Sequence, residues 1–201
     1  MVVIGGGVIG CEYACIFAAL GVKVTIVNSR SRLLGHLDAE VGEALRRQMT
    51  ARLGISVLVN TEPTEIAIEG DHARVVLTDG NTVYSDVVLF SAGRVGNTEG
   101  LGLDAVGVKC NQRGYVQVDG HYRTAVPSIY AAGDVIGFPA LASTAMEQAR
   151  VAVCHAFDLR YKQQLSPVLP YGVWTIPEIA TVGETEDTLK ARDVPYEVGR
   201  S

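Results

Sequence analysis

The fold is decided by the stretch Val2-Val3-Ile4-Gly5-Gly6-Gly7-Val8-Ile9-Gly10-Cys11, where an apolar run stops at a glycine cluster and a helical pattern begins at once. Three of its glycines match the pattern G-x-G-x-x-G. Gly5 allows the tight turn out of a strand, Gly7 lets backbone N–H groups approach a pyrophosphate, and Gly10 lets a helix pack close to a sheet. The helix N-terminus adds free N–H groups and the positive end of the helix dipole. The stretch therefore predicts a dinucleotide site rather than a plain glycine-rich turn.

Outward from this turn, the sequence alternates strands and helices up to about residue 92. A helix is predicted over residues 8–20, because its apolar residues recur at helical spacing and Gly21 follows as a stop signal. The continuous apolar run at residues 22–27 is typical of a strand buried on both faces of a parallel sheet. The further predicted elements are a helix, a third strand, an antiparallel meander and a last parallel strand, at residues 38–53, 55–59, 65–84 and 87–90. This order predicts an α/β, Rossmann-like domain with a parallel sheet over residues 1–92.

The residue that ends the second strand decides which nucleotide is accepted, because it lies beside the adenine ribose. An acidic residue there selects NAD and repels a 2′-phosphate, but this chain has Asn28, followed by Ser29 and Arg30. Asparagine can bind a ribose hydroxyl without repelling a phosphate. Arg30 and Arg32 can make charge-assisted hydrogen bonds to a 2′-phosphate. The site is therefore predicted to accept NADP without excluding NAD. The alternative is that both arginines are ordinary solvated loop residues.

A second region, residues 93–165, has a different pattern. Polar, glycine-rich sequence leads to a short predicted strand at residues 116–118 and then to an apolar strand that ends at Gly133 and Asp134. A carboxylate at the C-terminal end of a strand can bind a sugar or polyol hydroxyl, or it can cap the backbone N–H groups of its own turn. A helix that starts soon after this acid would point its N-terminal dipole at the same ligand. The remaining predicted elements are that helix, a strand and a short helix, at residues 141–157, 171–175 and 185–191.

Composition and charge exclude several classes of function. The chain is 48% hydrophobic and 19% charged, with a formal net charge of −5, so a sizeable core is available and a nucleic-acid partner is not expected. No apolar run is long enough to span a membrane and no signal peptide precedes the first strand, so a cytoplasmic location is expected. Because the first strand begins at residue 2 and no turn signal completes the last unit, the chain is expected to be a piece of a longer protein.

No metal site is predicted. Cys11 and Cys15 lie four residues apart on one helix face, a spacing that fits two small buried residues better than a redox pair. The cysteines and histidines show no zinc-ligand spacing, and each histidine is isolated in polar or loop-like sequence, where we expect surface residues. The four histidines are His36, His72, His121 and His155.

The chain contains four separated motifs: Gly5-Gly6-Gly7-Val8-Ile9-Gly10-Cys11-Glu12, Ser91-Ala92-Gly93-Arg94, residues 124–134, and residues 175–179 with 182–186. In their order and spacing they resemble the FAD-dependent pyridine nucleotide-disulphide oxidoreductases. Three further stretches resemble the family members that act as transhydrogenases, namely residues 10–14 with 16–17, residues 134–143 and residues 194–200. Asn28 agrees with those members, where lipoamide dehydrogenase-like members carry Glu. The resemblance covers essentially the whole chain, with one departure at Gly96, where many relatives have proline.

The resemblance implies how the first region would hold NAD(P). The backbone from Gly5 to Gly10, with Val8 and Ile9 at its helical end, would bind the pyrophosphate. Glu12 would sit beside the nicotinamide carboxamide and pair with a lysine of the flavin domain. Gly93 would lie along the nucleotide path at the domain crossing.

The resemblance also implies how the second region would hold FAD. Asp134 would bind the ribityl chain of FAD. The backbone near Leu141 and Ala142 and the following helix would face the flavin pyrimidine edge and favour negative charge on the reduced flavin.

The activity that the resemblance implies is hydride transfer between NADPH and NAD⁺ through FAD in the parent enzyme. A direct hydride transfer requires no acid–base side chain, so no catalytic residue is assigned. A dihydrolipoamide dehydrogenase or a related FAD-dependent disulphide reductase is the alternative, because the cysteine pair that would decide lies in a family segment outside this chain. A nucleotide-binding module without catalysis is a third hypothesis.

Finally, the resemblance implies a division of the chain into parts of larger domains. Residues 1–92 would form the NAD(P) domain, residues 93–165 the returning part of the FAD domain, and residues 166–201 the start of an α+β dimerisation domain. The family also has an earlier glycine motif for the ADP half of FAD. The isolated chain is therefore expected to bind nucleotide at most, whereas the full-length parent would bind FAD, NAD(H) and NADP(H) and form a homodimer, with neither nucleic acid nor membrane as a partner.

Overall fold

The computed structural model describes all of residues 1–201, which divide into two compact units. The first unit consists of residues 1–93 together with residues 170–201, and the second of residues 94–169. The first unit holds the glycine-rich turn, and the second holds Asp134. No helix in the chain combines the length and the apolar character needed to cross a bilayer.

A four-stranded parallel sheet forms the centre of the first unit. Its strands, in the order β3-β2-β1-β7, are Ser56–Val59, Thr25–Asn28, Val2–Ile4 and Val88–Phe90. The central strand β1 pairs on both sides, with Val3 opposite Ile26 of β2 and Leu89 of β7. All three residues of β1 are buried, as expected for a strand covered on both faces. The predicted α/β fold with a parallel sheet is therefore confirmed.

Two helices, α1 (Val8–Ala19) and α2 (Ala39–Leu53), belong to the same unit. On α1, the residues Cys11, Ala14 and Cys15 face the core that contains β1, and their small side chains allow helix and sheet to approach closely. Helix α2 begins after Asp38, whose Oδ1 accepts the N–H of Glu40 at 3.3 Å. It ends at Gly54, which adopts the left-handed conformation of a helix C-cap.

The predicted meander is an antiparallel sheet of β4 (Pro63–Glu69), β5 (His72–Leu77) and β6 (Thr82–Ser85). The buried residues Val75 and Leu77 of β5 form one cluster with Val2, Ile4 and Val27 of the parallel sheet. The meander therefore covers one face of the parallel sheet.

The second unit is largely irregular. It contains two short 3-10 turns, Asp104–Val106 and Gly133–Ile136, and one long helix, α3 (Ala142–Ala156). The strands predicted at residues 116–118 and directly before Gly133 are wrong, because only two isolated bridges form there, Cys110 with Val116 and Arg123 with Tyr130.

Turns take the place of the predicted strands in this unit. The carboxylate oxygen Oδ1 of Asp119 accepts the N–H groups of His121 at 2.8 Å and Arg123 at 3.0 Å. An aspartate that binds nearby backbone N–H groups offers the chain an alternative to a sheet ladder.

Residues 170–201 add a hairpin of β8 (Pro170–Val173) and β9 (Ile179–Val182) and the short helix α4 (Glu186–Ala191) to the first unit. Val173 of β8 is fully buried in the same core cluster as Cys11 and Met49. This segment is thus packed on the unit that holds the glycine-rich turn, and its assignment to a dimerisation domain stays a prediction.

Candidate functional site

At two positions of the glycine-rich turn between β1 and α1, a side chain would collide with the backbone. Gly5 has a φ of +111°, and a Cβ there would lie 2.5 Å from the carbonyl oxygen of Ser91. A Cβ at Gly10 would lie 1.9 Å from the carbonyl oxygen of Gly5. The Ser91 hydroxyl donates to the carbonyl of Ile4 at 2.8 Å and so holds β7 at the start of the turn. Close backbone packing therefore requires glycine at both positions.

Gly7 is open to solvent and is the N-cap of α1. It has a φ of −81° and a ψ of −174°, and an added Cβ would have no atom within 4 Å. The N–H groups of Gly7, Val8 and Ile9 have no acceptor within the chain, no side chain caps the helix, and its first turn has no acidic residue. Free donors at the positive end of a helix form an anion site, and this one fits the pyrophosphate of a dinucleotide.

Asn28, at the end of β2, hydrogen-bonds both the glycine-rich turn and the loop that follows β2. It is buried, with 6% of its surface exposed. Its Oδ1 accepts the N–H of Gly6 at 3.1 Å, and its Nδ2 donates to the carbonyls of Arg30 and Arg32 at 2.9 and 3.0 Å. Both amide protons are therefore used by the backbone. The contact between Asn28 and a ribose hydroxyl stays a prediction. Only Oδ1 is left to make it, because its second lone pair can accept a hydrogen bond from the hydroxyl.

The loop after β2 carries the positive charges predicted to meet a phosphate. Ser29 and Arg30 are exposed. Arg32 is partly covered, and its Nη2 lies 2.5 Å from Oδ2 of Asp187 in α4. Burial, followed by the positive charge of Arg30, lowers the pKa of His36 below its usual value. Because the His36 imidazole is then neutral near pH 7, the exposed cation of this loop is the Arg30 guanidinium.

Glu12 lies one turn into α1 and joins two segments of the first unit. Its Oε1 accepts the backbone N–H of Trp174 at 2.7 Å. Trp174 directly follows β8, and its side chain is largely exposed. The carboxylate therefore holds the segment after β8 against the helix of the glycine turn. Its position beside a nicotinamide stays a prediction.

The two cysteines of α1 are both buried. Burial, with smaller contributions from Cys15 and Glu12, raises the pKa of Cys11 to about 12. Burial also raises the pKa of Cys15. The Cys11 thiol donates to the carbonyl of Gly6 at 3.5 Å. These thiols are packing groups, as the spacing indicates.

In the second unit, Asp134 is exposed on the 3-10 turn Gly133–Ile136. Its Oδ2 accepts a hydrogen bond from Nη1 of Arg94 at 3.0 Å and accepts no backbone N–H, so the alternative of a turn-capping aspartate is wrong. Gly133 has a φ of +80°, and its N–H donates to Oε1 of the buried Gln148 at 2.7 Å. The turn is therefore fixed to α3 and presents a carboxylate with a cation beside it.

The start of α3 resembles the start of α1 in its free donors. Leu141 is the N-cap, no side chain caps the helix, and its first turn has no acidic residue. Ala142 is exposed. Gly93, at the end of the first unit, is also exposed and has a φ of +130°. The contacts predicted for these three residues with cofactors stay predictions.

His36, His72 and His121 are exposed, as expected of surface residues, whereas His155 is only partly exposed. The rings of His121 and His155 stack with their centroids 4.3 Å apart, and Nδ1 of His155 lies 2.8 Å from the hydroxyl oxygen of Tyr130. No group of three or more histidine, cysteine or acidic side chains is placed to hold a metal ion.

Sequence reasoning missed three residues that organise these sites. Trp174 contacts Glu12 and Asp187 contacts Arg32 across more than 140 residues of chain, and no local signal in the sequence marks either contact. Gln148 had a signal, because it is a polar residue among buried residues on one face of α3. A buried amide on such a face indicates a backbone partner.

Known proteins share this architecture. A family model described as pyridine nucleotide-disulphide oxidoreductase matches residues 1–149. Soluble pyridine nucleotide transhydrogenase of Yersinia enterocolitica is 44% identical over 201 residues, which are 100% of this chain and 43% of that protein. The protein of the same name from Yersinia pestis strain Pestoides F is also 44% identical over 201 residues and 43% of its length. This chain thus spans less than half the length of these relatives.

Solved structures agree with the family model. The crystal structure of LpdA from Mycobacterium tuberculosis matches with a TM-score of 0.87 and 36% identity, over 96% of this chain and 42% of that one. The HOCl-induced flavoprotein disulfide reductase RclA from Escherichia coli matches with a TM-score of 0.87 and 27% identity, over 98% of this chain and 44% of that one. The chain therefore belongs to the pyridine nucleotide-disulphide oxidoreductase family.

Proposed function

We propose that the first unit binds the pyrophosphate of NAD(H) and NADP(H) at the start of α1. The observation that carries this proposal is the set of free N–H groups at Gly7, Val8 and Ile9, above a turn in which only glycine fits at Gly5 and Gly10. A doubly charged pyrophosphate would satisfy those donors and the helix dipole together.

For the whole protein, we propose a flavoprotein oxidoreductase that transfers hydride between NADPH and NAD⁺. The 44% identity to proteins named soluble pyridine nucleotide transhydrogenase supports this activity. Bound FAD supplies the hydride-accepting and hydride-donating chemistry. The residues of this chain bind and orient: the glycine turn holds the nicotinamide nucleotide, and Asp134 accepts hydrogen bonds from a polyol chain. A cytoplasmic homodimer without nucleic-acid or membrane partners is part of the same proposal.

A dihydrolipoamide dehydrogenase or related disulphide reductase is the second candidate, favoured by the structural match to a flavoprotein disulfide reductase. Such an enzyme needs an accessible thiol pair, which the buried Cys11 and Cys15, with their raised pKa values, do not supply, so the pair would have to come from another segment of the whole protein. Blocking exposed thiols with an alkylating reagent separates the two candidates. If hydride transfer from NADPH to NAD⁺ persists after alkylation, the transhydrogenase is supported. If alkylation abolishes that transfer, the reductase is supported.

Replacing Gly7 with alanine tests the pyrophosphate site. The added Cβ meets no protein atom, so the fold is expected to persist, but it projects where the phosphates would approach. We expect NADH and NADPH to bind about tenfold more weakly, measured by calorimetric titration of the purified protein. Gly120→Ala is the control, because a Cβ there is equally free of contacts and lies in the other unit. Unchanged affinity in Gly7→Ala would contradict the site.

Replacing Asp134 with asparagine tests the flavin contact. The change keeps the shape of the side chain and removes the charge that faces Arg94. We expect the purified full-length parent carrying this change to retain less FAD than the unmodified parent, read from its visible absorbance per polypeptide. Asp104→Asn is the matched control, because Asp104 is an exposed aspartate in the other 3-10 turn of the same unit. Equal flavin content in both variants would exclude Asp134 from the flavin site.

A further inference from the structure

An ion pair joins the loop predicted to meet the adenine ribose with the distant helix α4. Nη2 of Arg32 and Oδ2 of Asp187 lie 2.5 Å apart, and the two side chains are 38% and 44% exposed. Arg32 is one of the two arginines in the loop that follows Asn28. The carboxylate of Asp187 therefore pairs with an arginine, Arg32, that a 2′-phosphate would otherwise contact.

Asp187 is held in this position by its neighbours. The N–H of Glu186 donates to Oδ2 of Asp38 at 3.0 Å, which attaches the first residue of α4 to the N-cap of α2. Arg200, further along the chain, pairs with Glu40 at 2.8 Å and extends the same attachment. The contact between Arg32 and Asp187 is therefore supported by two other contacts between the same segments.

The charge of Asp187 acts differently on the two nucleotides. NAD has uncharged hydroxyl groups at its adenine ribose, so a nearby carboxylate changes its binding affinity little. NADP has a phosphate of about two negative charges there, which must compete with Asp187 for Arg32 and is repelled by the same carboxylate. Charges that are placed against one ligand are a recognised source of specificity.

We propose that Asp187 is a positioning residue that acts through Arg32 to disfavour 2′-phosphorylated nucleotides and so shifts the site toward NAD(H). This inference rests on the proposed dinucleotide site. Arg30, the other arginine of the loop, is exposed and remains available, so NADP(H) still binds.

The test compares the affinities of NADP⁺ and NAD⁺ in Asp187→Asn and in the unmodified protein, by calorimetric titration. We expect Asp187→Asn to bind NADP⁺ about threefold to tenfold more tightly, with NAD⁺ affinity within about twofold of the unmodified protein. Adenosine 2′,5′-bisphosphate, which carries the 2′-phosphate without a nicotinamide, is expected to gain affinity by the same factor. Asp187→Glu keeps the charge and is expected to restore the original ratio.

Two further variants separate a direct charge effect from a loosened segment. In an Arg32→Ala background, Asp187→Asn is expected to lose most of its effect on the affinity ratio, because the contested cation is gone. Arg200→Ala breaks the neighbouring ion pair with Glu40 and leaves Arg32 untouched, so the ratio should not change. An unchanged ratio in Asp187→Asn, or an equal change in Arg200→Ala, would overturn the role of Asp187. Failure of the unmodified protein to bind either nucleotide would overturn the dinucleotide site itself.

Discussion

Replacing Gly10 with alanine is expected to destabilise the first unit by about 3 kcal/mol or more. The new methyl carbon would lie 1.9 Å from the carbonyl oxygen of Gly5 and 2.9 Å from the hydroxyl oxygen of Ser91. Neither neighbour can withdraw easily, because the Gly5 N–H donates to Val27 in β2 and the Ser91 hydroxyl donates to Ile4 in β1. Relief therefore requires α1 to move away from the sheet.

Urea unfolding followed by circular dichroism measures this effect. Gly7→Ala is the matched control, because Gly7 lies in the same turn and has no atom within 4 Å of an added Cβ. We expect the unfolding midpoint of Gly10→Ala to fall well below that of Gly7→Ala, which should resemble the unmodified protein. If the two variants unfold together, the close approach of α1 to the turn is not a stability requirement.

Replacing Asn28 with aspartate is expected to cost about 2–4 kcal/mol of folding free energy at neutral pH. The two carbonyls that now accept from Nδ2, those of Arg30 and Arg32, would face a buried carboxylate oxygen. Two hydrogen bonds are lost and two acceptors are left opposite a negative charge. Because the folded state then holds the proton of the introduced carboxyl more tightly than the unfolded state, the loss is expected to shrink as the pH falls.

Unfolding at pH 7 and at pH 5 checks both the size and the pH dependence of this loss. Asn111→Asp is the matched control, because the side chain of Asn111 only accepts, from the N–H groups of Arg113 and Tyr115, and an aspartate can do the same. Its stability is expected to stay within about 0.5 kcal/mol of the unmodified protein. An Asn28→Asp variant as stable as Asn111→Asp would show that the amide nitrogen does not brace the turn.

The two asparagines illustrate what the sequence can and cannot predict. The strands, helices and meander of residues 1–92 follow from apolar periodicity and glycine placement, which act locally, so the predicted α/β sheet is present in the structure. Asn28 was identified from its distance to the glycines, but its buried contacts with Gly6 and the following loop depend on how the chain closes around it. Periodicity carries no information on such contacts.

The second unit was harder to predict for a physical reason. Its predicted strands near Val116 and Tyr130 have apolar residues in the right order, but the backbone around them is fixed by turns, in which Asn111 accepts the N–H of Arg113 and Asp119 accepts that of Arg123, and only isolated bridges form. The partners of Glu12 and Arg32, Trp174 and Asp187, are set by tertiary packing over long chain separations. The family resemblance carried the candidate roles of Asp134 and Glu12, which residue patterns alone left open.

The thiol of Cys11 gives the glycine-rich turn a chemical property of its own. Burial raises the pKa of Cys11 to about 12, above the usual range of a thiol, and the thiolate is the form that reacts with peroxides and alkylating agents. The Cys11 sulphur instead keeps its proton and donates it to the Gly6 carbonyl inside the turn. Oxidants and alkylating agents are thus not expected to modify the glycine-rich turn at this sulphur, since the thiol is buried and held in its unreactive, protonated form.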